Sequence, residues 1–208
     1  MLFQNLKTYF REHGAAFFCS VFVGIIMIAP QIIFIINADS GYNGLPILKT
    51  DAEVQYVSRM KEFLDNRGNG SPYSYEDRNT ISTFNTISEA ILASPALIFP
   101  INVVQLNLFY KFFFPALIFL LAYHFLLKVL KDKRWAIVGA LAILLGQNLT
   151  SISDIFNLIK LNPVYYNFLS YSRPIHPEFS SVFFFLLSKF IYITFHFSIK
   201  RKQIKRGF

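Results

Sequence analysis

Apolar positions along the chain gather into four long blocks separated by polar stretches. The first block runs from Ala15 to Asn37, and its 23 residues would make a helix of about 34 Å, enough to cross a hydrocarbon core of roughly 30 Å. It is longer than the roughly 7–15 apolar residues of a signal peptide, and Ile36 stands where a cleavage site needs a small side chain. It therefore reads as a retained anchor, bent at Pro30. The second block is Phe112 to Leu130, with its helix starting as early as Val103. The third starts at Trp135 and reaches Ile152, its purely apolar part ending at Gly146, and the fourth runs from Ser180 to Ile199. The pattern predicts an all-α integral membrane protein with about four transmembrane helices, over 15–37, 103–130, 135–152 and 180–199.

Residues 38–102 have a different character. At 65 residues the segment is too long for a connector and too short for a large core of its own. Its apolar positions predict amphipathic helices resting on the membrane surface and on the spans. Within "KTDAEVQYVSRMKEF" (Lys49 to Phe63), Thr50 and Glu53 have the spacing of a capping box. Tyr56, Val57, Met60, Phe63 and Leu64 then form a stripe at helical spacing, so a helix is expected over 51–65. In "TISEAILASPALIF", Thr86 and Glu89 repeat the box and open a second helix over 87–99. Between them "NRGNGSPYSYEDRN" (66–79) is rich in turn formers.

Composition agrees with this pattern. Hydrophobic residues make up 54% of the 208 and charged residues only 15%, well under the roughly 25% usual in soluble domains. The net charge of +8 matters less than its placement. Lys7 and Arg11 precede the first block, Lys128, Lys131, Lys133 and Arg134 sit between the second and third, and five Lys and Arg close the chain over 200–206. Basic groups that flank apolar blocks follow the positive-inside rule. They do not make the basic, aromatic-studded face of a nucleic-acid binder, so nucleic acid is excluded as a partner. The rule puts the N-terminus (1–14), the turn 131–134 and the basic tail 200–208 on the cytoplasmic side. Residues 38–102 and 153–179 then lie outside, the second loop holding only Lys160 and Arg173 as bases. One cysteine, Cys19, excludes an internal disulfide and a Cys/His metal cluster. Trp135 and the tyrosines have the character of interfacial anchors.

Candidate chemistry centres on the start of the first loop helix. Asp51 and Glu53 fall in its first turn, where the helix dipole favours negative charge, and this is a complete structural account of both. A second account comes from resemblance. A first span, a long outer loop and "DAEVQYVSRMKEF" resemble the start of a membrane glycosyltransferase of the GT-C superfamily, which includes protein O-mannosyltransferases and aminoarabinose transferases. Many members carry Asp-(Asp/Glu)-x-x-x-Tyr and a basic residue shortly after the first span. Asp51, Glu53, Tyr56 and Arg59 take those places, with the second acid one position later than in the common form.

The resemblance implies transfer of a sugar from a polyprenyl-phosphate donor to an acceptor on the non-cytoplasmic face, in a bacterial plasma membrane. Asp51 would be the general base, within hydrogen-bond reach of the acceptor hydroxyl. Glu53 would assist it, or with Asp51 hold a divalent cation, Mg²⁺ or Mn²⁺. Arg59 would meet the donor phosphate or Asp51; a surface salt bridge with Glu62 is the structural alternative. Glu89 matches a second outer-loop acid of the superfamily, with the cap as its alternative. In "YSRPIHPEFS" two prolines stiffen the chain around Arg173 and His176, and the arginine has the geometry to hold a phosphate bidentately, or to be a snorkelling side chain on a rigid turn. Lys189, mid-way along the fourth block, would face a watery cavity near a lipid phosphate or snorkel outward. Lys111 reads as a snorkelling residue at the outer end of the second span. Complete members have many more spans than four. The expected function is thus a partial transferase, or one whose missing spans a second chain supplies. The alternative is a non-enzymatic four-span accessory or scaffold protein embedded in membrane lipid.

Overall fold

A long central helix organises everything packed around it. The computed structural model describes residues 2–38, 41, 42, 44, 51–65, 87–146 and 180–206, with side chains described for 8–38, 41, 42, 44, 55–65, 87–146 and 180–193. The helices are α1 (Leu2–Ala38), α2 (Asp51–Leu64), α3 (Ile87–Ala93), α4 (Pro95–Ile98), α5 (Val103–Leu130), α6 (Lys133–Leu145) and α7 (Ser180–Arg206). Apart from a 3₁₀ position at Gly41, the regular structure among the described residues is α-helical. Two are long and apolar enough to cross a membrane: Thr8–Ala38 within α1, and α5. Ile87–Ile98 and Ser180–Ile193 are shorter apolar stretches.

Local chemistry sets the limits of α5. Asn102 Oδ1 accepts from the Gln105 amide at 2.8 Å, and Gln105 Oε1 accepts from the Asn102 amide at 3.1 Å, a reciprocal box that satisfies two free donors. At the other end Lys131 adopts the left-handed conformation (φ 57°) and its amide bonds to the Leu127 carbonyl at 2.9 Å. Asp132 then starts α6 by accepting from the amides of Arg134 and Trp135, at 2.7 and 3.1 Å. The turn is therefore two residues, shorter than the expected 131–134, and folds α6 back along α5. A Cβ on Gly139 would lie 2.7 Å from a Leu126 methyl, so this glycine admits the close approach.

On the other flank α1 runs antiparallel to α5. Its buried positions Ala16, Ser20, Val23, Met27 and Pro30 alternate by four and three, the spacing of a helix-packing seam. Gly24 meets Phe112 and His13 meets Tyr123, which is one continuous antiparallel register. A Cβ on Gly24 would sit 2.8 Å from both the Phe112 ring and its carbonyl oxygen, so only glycine allows this approach. Pro30 lies within α1, and the residue of α1 with non-helical dihedrals is His13 (φ −120°, ψ 16°), where the helix is kinked. The helix also begins earlier than residue 15, at Leu2.

The first-loop helices pack together and cover the start of α5. The stripe expected on α2 is the face it buries: Met60 is in the core, and Tyr56, Val57, Phe63 and Leu64 pack against it. The helix expected over 87–99 is divided at Ser94, whose hydroxyl donates to the Ile91 carbonyl at 2.7 Å before Pro95 starts α4. The 13 residues of α6 amount to about 20 Å, and the remainder of the expected third span (147–152) lies outside the described residues. Helix α7 continues to Arg206, into the expected basic tail.

Candidate functional site

Two candidates from the sequence, Arg59 and Glu89, meet in the α2–α3 interface. Arg59 lies three residues after Tyr56 and four before Phe63, on the face that α2 buries. Its Nη1 donates to Glu89 Oε1 at 3.2 Å, with the two side chains only 9% and 4% exposed. Glu89 stands in the first turn of α3, where its charge also suits the helix dipole. Among the described residues Arg59 pairs with Glu89, thirty residues away in sequence, and not with the local Glu62. Charge inside an apolar interface costs several kcal/mol per ion unless it is paired, so the contact fixes α2 to α3 in one arrangement. The Tyr110 hydroxyl donates to the Leu92 carbonyl at 2.7 Å and fastens α3 to α5.

Other polar groups are buried at the same end. Asn107 is buried on α5, with its Nδ2 unsatisfied among the described residues. Lys111 follows one turn deeper and is only 2% exposed. This corrects the expectation of a snorkelling lysine: 107, 111, 114 and 118 form the face of α5 that its neighbours cover, so no aqueous rim is open to the amine. Gln31, buried on α1, falls opposite residue 105 in the antiparallel register. Glu62 Oε2 is also enclosed and unsatisfied among the described residues. Buried polar and ionisable groups inside apolar helices mark functional sites by default.

Beside this region α2, α4 and the start of α5 form an open, apolar-walled pocket of about 390 Å³, lined by Val57, Leu64, Leu97 and Val103 among others. Its charged group is Lys61, whose Nζ lies 2.8 Å from Asp65 across one exposed helical turn.

The remaining candidates are placed as follows. Helix α2 begins at Asp51, as expected, and Glu53 is in its first turn, but both side chains lie outside the described residues. So do the capping residues Thr50 and Thr86, and the whole of "YSRPIHPEFS" up to residue 179, with Arg173 and His176. Tyr56 is half-buried and packs on the core. Lys189 is not brought to Arg59 and Glu89: it neighbours His124, about 20 Å further along α5 than Lys111. Among the described residues no group of three or more His, Cys, Asp or Glu could hold a metal ion, and the Asp51–Glu53 pair lies outside that search.

One cluster was missed from sequence. At the end of the pair that holds Lys189, the Tyr9 hydroxyl bonds to His124 Nε2, and His13 Nδ1 bonds to the Tyr123 hydroxyl at 2.8 Å. The two imidazole rings are 5.4 Å apart. The available signal was the pair Tyr9 and His13, one helical turn apart, matched by Tyr123–His124 at the basic end of the next span.

Compared with known protein families, curated proteins and solved structures, the chain matches nothing.

Proposed function

We propose that the chain serves a membrane glycosyltransferase activity that moves a sugar from a polyprenyl-phosphate donor to an acceptor on the non-cytoplasmic face. In this reading α1 and α5 cross the bilayer, α6 and α7 mark the third and fourth crossings, and both termini are cytoplasmic. The loop helices α2, α3 and α4 then lie on the outer face. The carrying observation is that α2 begins at Asp51 and is held against α3 by the buried Arg59–Glu89 pair. That anchoring would give Asp51 a defined position at a helix N-terminus, from which it removes the acceptor's proton as the sugar carbon is attacked. Glu53 assists it or shares a divalent cation.

A second reading has its own observation. Arg59 and Glu89 are engaged with each other, so two groups expected to bind substrate already have a structural use. This favours an accessory or scaffold protein whose loop helices form a docking surface.

One substitution separates the two. Asp51→Asn in the full native reading frame should abolish sugar transfer in membrane extracts while leaving insertion and abundance unchanged. Undiminished transfer would remove Asp51 as the base and leave the accessory reading. Sidedness is tested separately: a reporter fused after Arg78 should read as non-cytoplasmic and one after Arg134 as cytoplasmic.

A further inference from the structure

The Tyr–His cluster lies where cationic side chains from separate helices converge. His124 of α5 has Lys128 one turn beyond it on the same face. Helix α7 supplies Lys189, one turn before Tyr192, and the Tyr192 hydroxyl donates to the Lys128 carbonyl at 3.2 Å. The Tyr192 ring also meets Phe125 edge-on, so this face of α7 is the one turned to α5. His13, from α1, completes the set. Among the described residues, the charged neighbours that act on His124 are His13, Lys189 and Lys128, and none of these is a carboxylate. Two acids lie nearby in the chain. Asp132 spends an oxygen capping α6, and Glu12 is exposed, with its backbone carbonyl accepting from Lys133 Nζ at 3.1 Å.

We propose that Lys128, Lys189 and His124 form a site for the phosphate of an anionic membrane lipid at the basic end of the α1–α5 pair. Ammonium groups brought together from two helices repel each other unless an anion lies between them, and a phosphate diester offers oxygens to both. Depth selects a lipid as the source of that phosphate. The apolar run of α5 stops at Leu130, and the exposed Tyr9, Phe10 and Trp135 surround this end, as amphipathic rings do at headgroup level. The proposal shares with the previous section only the reading that α1 and α5 cross a bilayer; it holds or fails independently of sugar transfer.

The test uses the full chain in nanodiscs of phosphatidylcholine, with and without added phosphatidylglycerol, and in detergent with inorganic phosphate. Thermal midpoint and lipid retention by native mass spectrometry are the readouts. Phosphatidylglycerol should raise the midpoint and be retained over phosphatidylcholine. Lys128→Gln with Lys189→Gln should cut that preference by about thirtyfold, about fivefold per lysine. The midpoint in pure phosphatidylcholine should not fall with the pair of substitutions, and should rise as the repulsion between the two ammonium groups is removed. The conservative pair Lys128→Arg and Lys189→Arg should keep the preference, which guards against reading a folding defect as lost binding. Lys61→Gln, at the opposite end, should also keep it. Equal retention of both lipids by the native chain, or an undiminished preference in the glutamine pair, overturns the site. An equal stabilisation by inorganic phosphate overturns the lipid assignment.

Discussion

The Arg59–Glu89 contact makes a quantitative demand. At 3.2 Å two unit charges attract by about 5 kcal/mol if the local dielectric is about 20. Desolvating the two groups costs several kcal/mol each, so the pair as a whole is close to neutral for stability. The asymmetry appears when one partner goes. Glu89→Gln takes the Glu89 charge away from a buried guanidinium, and Arg59→Met takes the guanidinium away from a buried carboxylate. Each should cost about 3–5 kcal/mol. The double variant Arg59→Met with Glu89→Leu removes both charges and should lose less than about 1 kcal/mol, so the coupling in the cycle is most of the single-variant loss. For a chain of this length the single variants should melt roughly 6–20 °C lower. Cys19, the one cysteine, is half-buried in α1 and provides the readout: its labelling by a thiol-reactive dye in detergent, followed with temperature, reports opening of the helix pair. Single variants that lose under about 1 kcal/mol would match an exposed pair. A double variant as damaged as the singles would show that the two charges are not coupled. Either result refutes the clamp.

Three smaller perturbations test the packing. Gly24→Ala places a methyl 2.8 Å from a backbone carbonyl that cannot rotate away, and should cost about 1–3 kcal/mol in the same assay. Gly139→Ala meets only the end of the flexible Leu126 side chain, and should cost clearly less than Gly24→Ala. Lys131→Gly relieves a non-glycine residue at φ 57° and should raise stability by up to about 1 kcal/mol; a loss would mean that the lysine side chain stabilises the turn.

Features decided by neighbours in sequence were legible. The central helix starts at Val103, the early start that the apolar pattern allowed; Tyr56, Val57, Met60, Phe63 and Leu64 share one face, and that face is buried. Features decided by distant partners were not. Local spacing offers Glu62 to Arg59, whereas the actual partner arrives from another helix. The face of α5 bearing Lys111 is apolar for most of its length, and whether its lysine reaches water depends on what covers it. Proline is the usual cause of a helix break, yet in α1 the departure falls at His13, where a tertiary hydrogen bond to Tyr123 holds the ring. The candidate site was legible only as far as Arg59 and Glu89, whose pairing no local pattern contains. The side chains of Asp51, Glu53, Arg173 and His176 lie outside the described residues.

Gly24 has a mechanical consequence. It lies eleven residues, about 16 Å of helix, from His13, and seven residues from Gln31 on the other side. This close contact between α1 and α5 lies between those two ends, and it is a point where neither backbone can move closer. Such a contact is a fulcrum. A rigid tilt of about 5° around it moves the His13 end by about 1.4 Å in one direction and the Gln31 end in the other. The Tyr–His end and the Gln31 end of α1 are then the two arms of one lever, and a displacement of one arm against α5 is matched by an opposite displacement of the other.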